Sequence, residues 1–483
     1  MDDNWKLPPY RHQWEIYLRT RDLRAWGLFL DQGLGKTAIC LATGSHLFRV
    51  GRIRGMFVLA PNGIEVNWAR DEIPEHLAVP HEVFTWSNSK RKTKTHAEGL
   101  ERLFAAGDDR LRVLCMSYNG LMTDDGAKAA RRFLTEFDTL YIADEATAFK
   151  TPSTKTAKRV LATAKHGTFR RLLNGTPVED SPFHSYTQVR WLDPNVWAKI
   201  GINNAQQHKN FFGIWEKRQL ANGRSFPNLV RYRNLPKMAE ALRSIGDRLE
   251  KDDVLDLPPK VYSKVHFSLS PEQARIYKAL KEDYQAAIVA DETLTADLAI
   301  VRLTRFQQIT SGYAPTDEDE ELRPIAGKNP RLGALEVALD ETTLPVIVWA
   351  KYTADIDAIA EVLRKRKMSF GIWDGRTSPE DRQRLKEDFQ AGKLDVFLAK
   401  ASSAGRGITL TAASTVIYYN NTFSLDERKQ SEDRAHRIGQ TKSVRYIDIV
   451  ATDTVDERIL EVLRGKRDIS ALVTGDRRLD SWV

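Results

Sequence analysis

Cysteine is scarce in this sequence: there are two in 483 residues, Cys40 and Cys115, both inside apolar segments. A disulfide framework of the secreted kind is therefore excluded, and a reducing compartment fits. The ten histidines show no metal-ligand spacing. No apolar run approaches the roughly 20 residues of a membrane span. The opening segment MDDNWKLPPY is acidic and polar and lacks the apolar core of a secretory leader. The expected location is the cytoplasm, with no membrane contact.

What is present is a globular composition, 42% hydrophobic and 29% charged, in a chain long enough for two or three domains. The formal net charge of +8 suits a polyanionic partner, and equally a solubilising surface.

The chain is organised around residues 26–37, WGLFLDQGLGKT. Trp26–Leu30 reads as a short buried strand, Asp31–Gly35 as a tight loop, and Lys36 and Thr37 open a helix. A Gly-x-Gly-Lys-Thr turn between strand and helix is a phosphate cradle. Gly33 and Gly35, with Leu34 between them, let backbone N–H groups crowd an anion, and the helix N-terminus adds partial positive charge. Lys36 is the mobile cation for the β- and γ-phosphates, and the Thr37 hydroxyl is a ligand for Mg²⁺. The full eight-residue phosphate-loop pattern is incomplete, because its first glycine falls at Leu30. A plain glycine-rich turn is the competing reading. Upstream, Gln13 precedes this loop and could present its amide to adenine as donor and acceptor; as a polar residue at a helix start it would do nothing.

After the loop, apolar runs suited to buried strands recur at Gly55–Ala60, Glu82–Trp86, Arg112–Met116, Thr139–Ala143 and Phe169–Asn174, with helical segments between them. Such alternation predicts a parallel sheet covered by helices on both faces. Ligands of these sheets sit beyond the strand C-termini. One strand ends at Asp144-Glu145, an acid pair that is costly beside a buried strand unless it works. Beside Mg-ATP, Asp144 can hold the metal and Glu145 can polarise the attacking water. Another strand ends at Asn174-Gly-Thr-Pro177, where Thr176 could report nucleotide state; a lone Gly-Thr-Pro is usually only a turn.

These motifs resemble those of the superfamily-two nucleic-acid motors, and among them the Swi/Snf family of double-stranded-DNA translocases. DQGLGKT resembles that family's DEMGLGKT. Val58-Leu-Ala-Pro61 with Trp68 is similar to its motif Ia region, Asp144-Glu-Ala-Thr147 and the basic segment after it to its DEAH box, and Asn174-Gly-Thr-Pro177 to its motif III. The likeness continues to the run Gln430-Ser-Glu-Asp-Arg-Ala-His-Arg-Ile-Gly-Gln440, which resembles motif VI. Two departures stand out: Thr147 replaces the family's His, and Arg11-His12 interrupt its Pro-Tyr-Gln signature ahead of Gln13.

The resemblance implies an α/β fold of two RecA-like parallel-sheet lobes with helical insertions between them. The expected organisation is a first ATP-binding lobe over 1–195, helical insertions over 196–256 and 257–335, and a second lobe over 336–483. Pro177–Val346 shows no clear strand alternation, Pro271–Thr310 reads as two long helices, and Asp317–Glu321 as an exposed acidic loop. Strands resume at Val346–Trp349, Ser369–Trp373, Val396–Ala399, Val416–Tyr419 and Val444–Val450.

Activity follows from the same likeness: a DNA-stimulated ATPase with ATP and Mg²⁺ as cofactors, moving along duplex DNA. Arg434 and Arg437, three residues apart and hence on one helix face, are the arginine fingers, with guanidinium groups suited to clamp a γ-phosphate. Gln430 is a coupling residue. Gly407 in Ala401–Thr409, which resembles motif V, lets a backbone amide approach phosphate. Asn62, Lys150, Ser153, Lys155, Ser402 and Arg406 are the DNA contacts, directed to backbone rather than base edges, so binding is expected to be sequence-independent and salt-sensitive. Lys90-Arg-Lys-Thr-Lys94 is a second basic stretch, readable also as a solvated face. No chromatin-reading module is visible and only a short segment follows motif VI, which resembles bacterial or phage-borne members. A strand-separating fork helicase and a nucleotide-gated DNA clamp are the alternatives.

Overall fold

Runs such as Gly55–Ala60 are apolar at every position because both faces of the strand are covered, and all six of its residues are buried. The structure, a computed structural model, describes residues 3–107, 109–175, 177–178, 181–219, 225–289, 296–315, 322–401 and 408–474. The chain divides into two compact units. One comprises mainly the residues up to Ile214 together with Arg231–Leu255; the other comprises mainly Trp215–Val230 and Asp256–Asp468.

The first unit holds a helix α1 (Arg11–Thr20), strand β1 (Ala25–Leu30), helix α2 (Lys36–Arg49), then β2 (Gly55–Ala60), β3 (His81–Thr85), β4 (Leu111–Ser117), β5 (Thr139–Asp144) and β6 (Phe169–Leu173). Strands β7 (Gly213–Gln219) and β8 (Ser225–Tyr232), which belong largely to the second unit, form a separate two-stranded sheet, after which β9 (Gly246–Leu249) joins the first unit's sheet. The order is β3-β4-β2-β5-β6-β1-β9, and among the described residues these neighbouring strands all pair in parallel. Leu28, Leu30, Met56, Val58 and Ile142 pack on one face with Ile39 and Leu41 of α2. Phe29, Phe57, Leu59 and Tyr141 pack on the other with Phe133 and Trp191. This is the period-two alternation of a strand with two covered faces.

The second unit begins its sheet with β10 (Lys260–Phe267). Helices Pro271–Val289 and Ala296–Ser311 follow, then β11 (Val346–Ala350), β12 (Phe370–Trp373), β13 (Val396–Lys400), β14 (Thr415–Tyr418) and β15 (Val444–Ala451). The order is β10-β15-β14-β11-β13-β12, again parallel throughout. Ile309 is fully buried, and Leu303 and Phe306 pack against the cluster around Leu425 and Val455, as their helical spacing suggests.

The α/β class with two parallel sheets is as expected, and the apolar runs are strands to within a residue or two at each end. Strands β9 and β10 fall in the stretch read from sequence as lacking strands, and β7 and β8 also form there. The acidic run 317–321 lies outside the described residues.

Candidate functional site

The connection from β1 to β2 passes over β6 and β5, because β2 lies three positions away in the sheet. Such a switch opens a crevice beyond the strand C-termini. The register brings two of the candidate segments to one level there. Leu173 of β6 pairs with Leu28 of β1 on one side and with Asp144 of β5 on the other. The acid box thus stands about 10 Å from the strand that feeds the glycine loop, two strand spacings across the sheet.

The loop itself has the backbone a phosphate cradle needs. Gly33 and Gly35 both adopt left-handed conformations, with φ of 86° and 78°. At that φ a side chain on Gly35 would be strained, and its Cβ would also come to 2.1 Å from Gln13 Nε2 and force that amide to move. Gly35 is the N-cap of α2, whose first residues are Lys36 and Thr37. The Lys36 ammonium donates to the carbonyls of Leu30 at 2.8 Å and Asp31 at 3.2 Å. The Cys40 thiol, one turn further on, is pushed up to about 12 by burial, and both Asp144 and Lys36 act on it electrostatically.

Gln13 lies on α1, buried against the loop. Its Oε1 accepts from Tyr10 N–H at 3.0 Å and its Nε2 donates to Leu34 C=O at 3.3 Å. His12 Nε2 lies 3.0 Å from the same carbonyl. The C-terminus of α1 is capped by Arg171 of β6, fully buried, which donates to the carbonyls of Thr20 at 2.7 Å and Leu23 at 3.0 Å. Burial pushes its guanidinium down to about 10. Free carbonyls at a helix end favour such a cation, and the contact fixes α1 against the sheet that carries the loop.

At the acid box, Asp144 is the last residue of β5 and half-buried. Two residues not singled out for this role in the sequence hold it. Trp68 donates its indole N–H to Asp144 Oδ2 at 2.9 Å, and Tyr118 donates its hydroxyl to the Asp144 carbonyl at 2.8 Å. Trp68 opens a five-residue π-helical turn, Trp68–Glu72, a local winding common at functional sites. Glu145 sits in the left-handed region with φ 49° and ψ 61°. That conformation is costly for a residue with a side chain and persists only where the surroundings impose it. Asp144 carries a carboxylate and Thr37 a hydroxyl, hard oxygen donors of the kind a divalent cation such as Mg²⁺ takes beside phosphates and water. Among the described residues, no cluster of three or more His, Cys, Asp or Glu is placed to hold a metal ion.

Asn62 follows β2 and is exposed. Ser153 and Lys155 are exposed at the start of the helix Lys155–Ala164, and Lys150 is half-buried with its carbonyl accepting from Thr187. In the basic stretch 90–94, Arg91 pairs with Asp125 at 3.6 Å. Thr176, Ser402, Arg406 and Gly407 lie outside the described residues.

In the second unit, Gln430 lies on the helix Leu425–Glu432 and donates to Asp426. Arg434 and Arg437 are not on a helix face, as their spacing suggested. The helix ends at Glu432, and the arginines occupy the turns that follow. There the bonds tighten to i→i+3, from Arg434 N to Ser431 O and from Ala435 N to Glu432 O. The anchoring of Glu432 and His436 explains the break. Glu432 accepts from Lys260 at 3.0 Å, Tyr262 at 2.9 Å and Arg428 at 2.8 Å. His436 Nε2 lies 2.7 Å from the carbonyl of Pro258. Burial raises the Glu432 carboxyl, but Lys260 and Arg428 outweigh it and hold the group at about 2. The arginine turn is thereby fastened to the segment Pro258–Tyr262 that opens this unit's sheet.

Comparison with known proteins places these motifs. Residues 13–310 match the SNF2-related domain family, and residues 330–439 match the helicase conserved C-terminal domain. The chain is 26% identical over 471 residues to an ATP-dependent helicase of Mycoplasma genitalium, covering 96% of this chain and 42% of that protein. It is 26% identical to the mouse DNA annealing helicase and endonuclease ZRANB3, covering 98% of this chain and 41% of that one. The yeast transcription regulatory protein SNF2 is 24% identical, with 97% and 28% covered. The chain thus spans about two fifths or less of these relatives' length. Among solved structures it is similar to the Sulfolobus solfataricus SWI2/SNF2 ATPase core in complex with dsDNA, at 21% identity and TM-score 0.43, covering 99% of this chain and 95% of that one. Among the described residues, no helix is long and apolar enough to cross a membrane.

Proposed function

The chain belongs to the SNF2-related family, and from that premise we propose that it is a DNA-stimulated ATPase that translocates on duplex DNA. In this reading Lys36 and the loop amides hold the triphosphate of ATP. Thr37 and Asp144 hold Mg²⁺, which shields the phosphate charge when bound. Glu145 takes the proton of the attacking water, and Arg434 and Arg437 stabilise charge on the transferred phosphoryl group. Gln13 faces the adenine side of the loop. Asn62, Lys150, Ser153, Lys155, Ser402 and Arg406 contact the DNA backbone, with Thr176 and Gln430 relaying nucleotide state.

The observation that carries this reading is the register at Leu173. It aligns the acid pair with the strand that leads into a left-handed glycine loop, and Trp68 fixes the orientation of the metal-binding acid. Those three features support a site for a triphosphate and a hard cation. Contacts to phosphate rather than to bases make the DNA partner sequence-independent.

The test is ATP turnover with no DNA, single-stranded DNA, blunt duplex and forked duplex at two salt concentrations, together with displacement of a third strand from a triplex. The expected result is stimulation by blunt duplex that weakens at higher salt, with ATP-dependent triplex disruption. Stimulation confined to forks, with strand separation, would favour fork remodelling instead. Stimulated hydrolysis without triplex disruption would favour a clamp. Absence of hydrolysis with every DNA overturns the proposal.

A further inference from the structure

Arg248 lies on β9, a strand the sequence conceals, beside Phe29 of β1 in the parallel register. Its side chain is 12% exposed. One guanidinium nitrogen, Nη1, is shared among the Asp31 carboxylate at 2.9 Å and the carbonyls of Phe29 at 3.1 Å, Gly175 at 3.2 Å and Leu249 at 3.2 Å. The other, Nη2, donates to Glu250 at 3.0 Å. One planar cation therefore binds the ends of three adjacent strands, β6, β1 and β9. Asp31, the first residue of the glycine loop, is gripped further from the same side. Its Oδ2 accepts from Lys251 N–H at 3.2 Å, and its own N–H donates to Leu249 C=O at 3.0 Å.

The position in the chain gives this cluster its meaning. Six residues separate β9 from Asp256, where the chain enters the second unit. Beyond lies Pro258-Pro259-Lys260, whose Lys260 and Pro258 carbonyl hold Glu432 and His436 beside the arginine turn. The glycine loop and the exit segment are thus joined through one guanidinium group.

We propose that Arg248 is a positioning residue that couples the nucleotide loop to the chain leaving the first unit, so that DNA stimulation of ATP turnover depends on it while ATP binding does not. This rests on the ATPase reading above. ATP binding is spared because the loop keeps independent supports: His12 and Gln13 on Leu34 C=O, the left-handed glycines, and the start of α2. Lysine cannot replace Arg248, because an ammonium is compact and has no planar fork with which to bridge carboxylates and carbonyls at once.

The experiment compares the full chain with R248K and R248M. It measures the Kd of a fluorescent ATP analogue, turnover without DNA, turnover at saturating duplex, and melting temperature. R248K is expected to melt within a few degrees of the natural chain and to keep its Kd and DNA-free turnover within about threefold. Its DNA stimulation should fall by about 5- to 150-fold, the usual span of a coupling between two sites. R248M should show the same pattern more strongly. If R248K is stimulated as well as the natural chain, or loses ATP affinity in step with stimulation, the proposal is overturned while the ATPase reading stands. If the natural chain hydrolyses no ATP, both fail.

Discussion

Trp68 donates its indole N–H to Asp144 Oδ2 over 2.9 Å, and that bond restrains the orientation of the acid-box carboxylate at the end of β5. Trp68 is 1% exposed, so its N–H has little access to water in exchange. Trp68→Phe keeps most of the ring volume and removes only the donor. Loss of a partner that orients a metal-binding carboxylate typically costs about 10- to 100-fold in metal affinity or activity. The expected outcome is a rise of that size in the Mg²⁺ concentration for half-maximal ATP turnover, with little change in ATP affinity. Titrating Mg²⁺ at fixed ATP checks it, and an unchanged midpoint would remove Trp68 from the site.

Glu145 carries two separable predictions. As the base, Glu145→Gln should retain ATP binding and lose roughly 10²–10⁴-fold in turnover. As a side chain at φ 49°, it is held in a conformation that costs on the order of 1–2 kcal/mol. Glu145→Gly should relieve that strain, being inactive yet at least as resistant to denaturant as the natural chain. Turnover and urea midpoints for the two variants test this; a marked loss of stability in the glycine variant would contradict the account of strain.

The parallel core strands were legible in the sequence because a strand covered on both faces reads as a short continuous apolar run, and runs such as Gly55–Ala60 or Val346–Ala350 are too short for a buried helix and alternate with helical segments. The glycine loop and the acid pair were legible because their chemistry is local. Strand β9 was not: Gly246-Asp-Arg-Leu is short and mostly polar, and its place depends on the space that Gly27 and Gly246 leave for the ring of Phe29. Strand β10 could have been found from the alternation in Lys260–Phe267, the pattern of a half-covered edge strand. The roles of Trp68, Tyr118 and Arg248 depend on contacts between residues far apart in sequence, which no spacing rule encodes. The helical reading of Arg434 and Arg437 failed for a similar reason, since Lys260 and Pro258 end the helix from another part of the chain.

Asp355 makes the second unit sensitive to pH. It is fully buried, with Oδ2 accepting from Asn420 Nδ2 at 2.6 Å and from Tyr352 N–H at 3.3 Å. Burial pushes its carboxyl up to about 7, against the opposing pull of Asn420, Arg331 and Lys351. A carboxyl with a raised folded-state value binds its proton more tightly when folded. Its contribution to stability is therefore complete below pH 4 and is lost as pH rises through 7. The unit should melt at progressively lower temperature between about pH 4 and pH 7, with the decline levelling off above pH 7. Asp355→Asn, an uncharged near-isostere, should flatten that dependence and raise the melting temperature most at pH 8. Identical pH slopes in the two proteins would show that Asp355 titrates normally.

Arg434 and Arg437 should respond differently to truncation, because the fold holds them differently. Arg434 is 3% exposed, and its carbonyl accepts from Leu410 N–H at 2.9 Å, so it is part of the packing. Arg437 is half-buried, less enclosed than Arg434, and donates to Ile408 C=O at 3.5 Å. Removing a buried guanidinium costs stability as well as any catalytic role, so Arg434→Ala should lower the melting temperature together with the rate. Arg437→Ala should leave melting nearly unchanged and reduce DNA-stimulated turnover by on the order of 10³-fold, the effect of losing a finger that stabilises phosphoryl-transfer charge. Arg437→Lys should recover little of that rate, since an ammonium cannot reproduce a bidentate contact to phosphate. Melting curves and turnover measured on the three variants separate the roles. A fully stimulated Arg437→Ala protein would leave the proposed mechanism without this group and shift the demand for transition-state charge onto Arg434 alone.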